Sequence, residues 1–154
     1  MNVMLRRVAA LVFQVLVLAG GMQVVCAHDA STAGKPFAEH HIALQISDGS
    51  QEKQKLVLSI AYKLLEVYGP DSIDVQVVAF GPGIDLLRAD SPNRKRVDSL
   101  IEQGVRFNVC SYTIETIAKK TGKRPTINPR AVEVANGVPY LLSLSEKHYT
   151  IIRP

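Results

Sequence analysis

An α/β fold on a mostly parallel sheet of about five strands follows from three features of the chain. Short β-branched or alternating apolar runs recur, longer stretches of helical period lie between them, and glycine or proline stands at most junctions. Strands that alternate with crossover helices pack as a parallel sheet with helices laid over it.

His41 to Ser47 places Ile42, Leu44 and Ile46 at alternate positions, a strand, and Asp48-Gly49-Ser50 turns the chain. From Gln51 to Tyr68 the period lengthens: Leu56, Val57, Ile60, Ala61, Leu64, Leu65 and Tyr68 form one wide apolar helical face, stopped by Gly69-Pro70. Ile73 to Phe80 is a nearly continuous β-branched run, the pattern of a strand covered on both faces, and Gly81-Pro82-Gly83 ends it. Ile84 to Leu87 predicts a short helical turn. Ser91-Pro92 predicts a cap and first-turn proline for a helix carrying Val97, Leu100 and Ile101, closed by Gly104. Val105 to Val109 predicts the next strand, and Ser111 or Tyr112 opens a helix with Ile114, Ile117 and Ala118 on one face, ended by Gly122. After a loop with Pro125 and Pro129, Ala131 to Ala135 is a short strand. Asn136-Gly137 caps a helix with Pro139 in its first turn, and Tyr149 to Ile152 is a terminal strand.

The amino terminus reads as an export signal. Arg6 and Arg7 precede an apolar run from Val8 to Ala19, and Val25-Cys26-Ala27 supplies the residues a signal peptidase reads, so residues 1–27 are expected to be removed. The apolar run is shorter than the ~20 residues of a spanning helix, so no membrane association is expected after cleavage. Residues 28–38 read as a flexible lead-in and 39–154 as one domain, exported and, in a Gram-negative source, periplasmic. Without its two leader arginines the mature chain carries 16 basic and 14 acidic residues, too even a balance to indicate nucleic acid. Two basic groups, Arg88 with Arg94, Lys95 and Arg96, and Lys119, Lys120, Lys123 with Arg124, read as solvated helix faces. His40, His41 and His148 show no metal-ligand spacing, so no metal or other cofactor is expected.

With Cys26 in the leader, Cys110 is the one cysteine of the mature protein, which excludes an internal disulfide. It stands where a strand gives way to a helix, and unpaired backbone N–H groups and the positive end of the helix dipole favour a thiolate there. Strand alternation puts Arg106, Asn108 and Cys110 on one side, opposite Val105, Phe107 and Val109, with a guanidinium that would also favour the anion. The competing reading is an inert buried thiol, since free cysteine is among the most buried residues. Asp48, Gly81, Gly83 and Ser111 fall at the carboxyl ends of the strands with Cys110, where sites form in such sheets, and together with Arg106 and Asn108 are candidate partner- or substrate-binding residues. For Asp48 the ordinary alternative is a helix cap, and for Gly81 and Gly83 a plain turn. Tyr62 and Tyr68 read as core or subunit interface.

Four segments in order carry a resemblance: a first strand ending at Ser47-Asp48, the run Val75 to Gly83, Val105-x-Phe107-x-Val109-Cys110, and Gly137-Val138 through Tyr149-x-Ile151-x-Arg153-Pro154. Together they resemble the DsrE/DsrF-like sulfur-relay family over residues 40–154. The resemblance implies a flavodoxin-like sandwich, a homo-oligomer (trimer or hexamer), and a cysteine at position 110 that accepts sulfane sulfur as a persulfide and hands it on. Sulfur donor and acceptor proteins or small thiols would be its partners. The chain departs from the family in its export signal and in Tyr112, where an amide is usual; Thr113 keeps the expected threonine. The expected function is therefore an exported sulfur carrier, sulfurtransferase-like at most. The alternatives are a non-catalytic oligomeric binding module with an inert cysteine, or a thiol redox sensor.

Overall fold

The structure, a computed structural model, describes Lys35 and residues 37–154. The expected leader and most of the lead-in lie outside the described residues. Five strands, β1 (His40–Ile46), β2 (Ile73–Ala79), β3 (Arg106–Cys110), β4 (Val132–Val134) and β5 (Thr150–Ile152), pair in parallel throughout, in the order β4-β3-β2-β1-β5. Four α-helices connect them: α1 (Gln51–Tyr68), α2 (Arg94–Glu102), α3 (Ser111–Thr121) and α4 (Gly137–Glu146). A 3-10 segment, Gly81–Leu87, follows β2.

Each step from β1 toward β4 moves one place along the sheet, and a right-handed crossover then sends each intervening helix to the same face. The main core lies there, with Leu44, Val75, Val77, Phe107 and Val109 packed under Val57 and Leu58 of α1, Val97 and Leu100 of α2, and Ile114 of α3. The step from β4 to β5 runs back across the whole sheet, so its helix lies on the opposite face. There α4 sets Leu141 and Leu144 against Ala43, Val78 and Tyr149. The product is a three-layer, flavodoxin-like α/β sandwich.

Central β2 is buried at all seven positions, as its β-branched run predicts. Its α4 side is nevertheless polar. Asp74 and Gln76 join Arg106 and Asn108 of β3, with Tyr140 and Tyr149 above: Tyr140 donates to Gln76 at 2.9 Å, Asn108 to Gln76 at 3.1 Å and Arg106 to Asp74 at 2.6 Å. The backbone N–H of Lys35 also donates to Asp74, at 2.9 Å, and its ammonium reaches the carbonyls of Pro70 and Ile73, so the chain is tied down at the amino end of the sheet before β1 begins.

Two boundaries differ from expectation. Pro92 lies in a turn and α2 starts at Arg94, because Ser91 Oγ accepts from the Asn93 N–H and closes a local turn first. The helical turn expected at Ile84 begins at Gly81, with Pro82 in its first positions. Of the two tyrosines, Tyr62 packs against the core, whereas Tyr68 is largely exposed and meets the His40 ring at 4.4 Å.

Gly83 is required by proximity. A Cβ there would stand 2.3 Å from the Ile46 carbonyl oxygen and 2.7 Å from its carbon, backbone atoms of β1 that cannot step aside. Gly83→Ala is expected to destabilise the domain by about 1–3 kcal/mol. An unchanged midpoint in urea unfolding would contradict that packing.

Candidate functional site

Cys110 lies at the one place in the sheet where neighbouring strands send their chains to opposite faces. β3 continues into α3 on the three-helix face, and adjacent β4 turns through Ala135 and Asn136 into α4 on the other. Ligand crevices of open α/β sheets form at such points, outside the carboxyl ends of the strands. As last residue of β3 and N-cap of α3, Cys110 takes extended backbone angles (φ −74°, ψ 111°) and turns its side chain toward the α4 side.

Two helix amino termini therefore converge on one sulfur. The Gly137 N–H, first of α4, points at Sγ from 3.3 Å. Neither α3 nor α4 has a side-chain cap, so first-turn N–H groups are left for the sulfur to receive. Burial pushes the thiol pKa up, but this is outweighed by the Thr113 hydroxyl and by the backbone N–H groups of Thr113, Gly137 and Tyr112, and the net direction is down. Thr113 is oriented for this work. Its oxygen accepts the Gly81 N–H at 3.0 Å, which leaves its own proton for the sulfur. Cys110 itself is covered, 4% exposed, at the carboxyl end of its strand.

The close fit of α4 depends on Gly137. A Cβ there would meet Phe80 Cβ at 2.9 Å, so only glycine brings this N–H so near. The Tyr112 N–H also reaches the Ala135 carbonyl at 3.1 Å, holding the β4–α4 turn against the start of α3. Tyr112, two residues beyond the thiol, and Val138, next to Gly137, are each more than half exposed, as is Leu142 further along α4.

The other candidates named from sequence are placed differently. Arg106 shares the face of Cys110, as alternation requires, but lies at the far end of β3. There it is paired with Asp74 and donates to the Tyr149 hydroxyl at 3.0 Å, so the lowered thiol pKa is the work of neutral donors and not of this guanidinium. Asn108 is buried in the layer beneath α4, bonded to Gln76. Ser111 donates to Glu133 at 3.0 Å and ties α3 to β4. Gly81 reaches the site through Thr113, whereas Gly83 packs on β1.

Asp48 is exposed. Its carboxylate accepts from the Ser50 N–H at 2.7 Å, which holds its pKa down, and Ser50, not Asp48, caps α1 by accepting from Lys53. Gly49 does lie against Pro82, so the first two loops touch, but the loop that touches Cys110 is the fourth. Thr113 and Gly137 are the site residues that sequence reasoning left unassigned. The Asn136-Gly137 pair was legible as a helix start; its nearness to Cys110 was not. Among the described residues no cluster of three histidine, cysteine or acidic side chains could hold a metal ion.

The fold and site together define a five-stranded parallel α/β sandwich with one thiol held at its switch point. The sequence matches no protein-family model and no curated protein. Among solved structures the chain is similar to a protein of unknown function, MTH1491, from Methanobacterium thermoautotrophicum. The identity is 25%, the match covers 75% of this chain and 99% of that one, and the TM-score is 0.67.

Two substitutions separate the thiol's support from that of the fold. Thr113→Val removes the hydroxyl donor and is expected to slow iodoacetamide labelling of native protein at pH 7 by about fivefold, within the worth of one hydrogen bond to a charged group. The pH–rate profile should move up. Losing a donor that lowers the thiol pKa raises it, and by linkage the variant also loses stability that the depressed pKa contributes above the pH where the free thiol ionises, a contribution lost in the native protein as pH falls through the lower folded value. Arg106→Ala removes the cation paired with the buried Asp74 carboxylate, leaving it only the Lys35 N–H and the Tyr149 hydroxyl, and is expected to cost about 3 kcal/mol in urea unfolding. Where the variant is still folded, its labelling profile should be unshifted; a profile moved upward would show the guanidinium acting on the thiol.

Proposed function

We propose that the protein is an exported carrier of sulfane sulfur that uses Cys110 as its acceptor. The observation that carries this reading is the convergence of N–H groups from two helix starts, with the Thr113 hydroxyl, on a single sulfur. The Cys110 thiolate attacks the outer sulfur of a donor persulfide. A new S–S bond forms at Sγ, the donor's S–S bond breaks, and the donor sulfur departs as a thiolate that takes up a proton. Sulfane sulfur changes hands with no external oxidant. In the return step an acceptor thiolate attacks the outer sulfur and Cys110 leaves, a departure that a low thiol pKa favours.

The absence of a second cysteine among the described residues suits this role, because no neighbour can expel the sulfur by closing a disulfide. Donor and acceptor are proteins or small thiols, and exposed Tyr112, Val138 and Leu142 offer apolar contacts at the rim. In this reading the protein works as a homo-oligomer outside the cytoplasm. Among the described residues no helix is long and apolar enough to cross a membrane.

One observation favours a second reading. At 4% exposure Cys110 is covered, which suits a non-catalytic binding module with an inert thiol. Intact-protein mass spectrometry after incubation with glutathione persulfide decides between them. The carrier gains 32 Da on Cys110, reversed by dithiothreitol and absent from Cys110→Ser. A native protein that gains no mass, and labels with thiol reagents only after denaturation, is the inert module.

A further inference from the structure

Members of the two basic groups that read in sequence as separate solvated faces, Arg88 from one and Lys123 and Arg124 from the other, meet in the fold. Arg88 lies between the 3-10 segment and α2, where Leu87 to Ala89 runs antiparallel to Thr126 to Asn128: the Ala89 N–H bonds the Thr126 carbonyl at 2.9 Å and the Asn128 N–H the Leu87 carbonyl at 2.8 Å. This short bridge brings Arg88 to the loop carrying Lys123 and Arg124. Between them is a cleft of about 670 Å³ at the carboxyl end of α3, within the range of small-molecule sites.

Its walls are of two kinds. Ile117, packed on the main core, and buried Pro125 form an apolar side, while Arg88, Lys123 and Arg124 bring three cations against one carboxylate, Asp90. The cations are differently engaged. Arg124 is held by Glu115 and Glu133, and Arg88 gives Nε and Nη2 to Asp90 while its Nη1 makes no hydrogen bond among the described residues. Lys123 has no ion-pair partner among the described residues. The negative end of the α3 dipole, which would oppose an anion here, is offset by Lys119 and Lys120 in its last turn.

We infer that this cleft is a binding site for a small organic anion, a phosphate or carboxylate carried on an apolar body. Its charged group is received by Lys123 and the open edge of Arg88, and its apolar part lies on Ile117 and Pro125. The site is separate from Cys110, near the opposite end of α3, and does not depend on sulfur chemistry there.

Isothermal titration of the folded protein with phenyl phosphate and with phenylacetate tests it, the two probes distinguishing which anionic group the cleft takes. Saturable 1:1 binding of either below about 1 mM is expected, weakened at least about fivefold in Lys123→Ala and in Arg88→Gln and unchanged in Lys95→Ala, which lies outside the cleft. Circular dichroism confirms that each variant is folded. No saturable binding of either probe, equal binding by inorganic phosphate, or affinities unmoved by both cleft substitutions would overturn the assignment.

Discussion

The reversal of direction between β3 and β4 is the constraint on which the rest of the molecule turns. Three successive connections advance the sheet one strand at a time on a single face, and the fourth must cross back to reach β1's free edge. Because α4 takes the opposite face, it departs from the sheet beside α3 but away from it. Each helix presents its unsatisfied amino-terminal N–H groups to the gap, and the residue at the end of β3 receives both sets. The residue there is a cysteine. Had the chain added a strand beyond β4 instead, α4 would have joined the other three helices and the Gly137 amide would have faced elsewhere.

The same asymmetry explains the unusual character of the two cores. Three helices supply enough apolar surface to bury one face completely, and the residues facing them are almost all aliphatic or aromatic. A single ten-residue helix serves the other face, and polar side chains fill part of the space. Asp74, Gln76, Arg106 and Asn108 are satisfied mainly by one another and by two tyrosine hydroxyls, so this layer is held by mutual hydrogen bonding more than by dispersion. One carboxylate oxygen, Asp74 Oδ1, has no partner among the described residues, which makes the layer sensitive to any loss within it.

A thiolate stabilised by neutral donors differs from one held by a cation. Backbone N–H groups fixed in helix first turns are already oriented toward the charge and need no reorganisation when it forms. They also leave the thiol's immediate surroundings without a charged partner among the groups that lower its pKa. Tight positioning then matters more than net charge, which accounts for Gly137 against Phe80 and for Thr113 clamped by the Gly81 amide. Three basic residues, by contrast, line the cleft at the other end of α3, with Lys119 and Lys120 in that helix's last turn.

Local pattern was enough to determine the elements, because strand and helix periods, caps and breakers act over a few residues. The whole of α1, the buried run of β2, the Gly122 stop of α3 and the placing of Pro139 in the first turn of α4 could all be read directly. So could the position of Cys110 at a strand–helix junction, and with it one of its two helix dipoles. The second dipole could not be read, since Gly137 is 27 residues further on and comes near only because α4 changes face. Nor could alternation reveal that Arg106 pairs with Asp74, a residue of another strand brought alongside by register. The sequence by itself determined which residues make each piece and that the single described thiol stands at a strand–helix junction. Strand order and close backbone approach, which depend on the packing of distant segments, decided what surrounds that thiol.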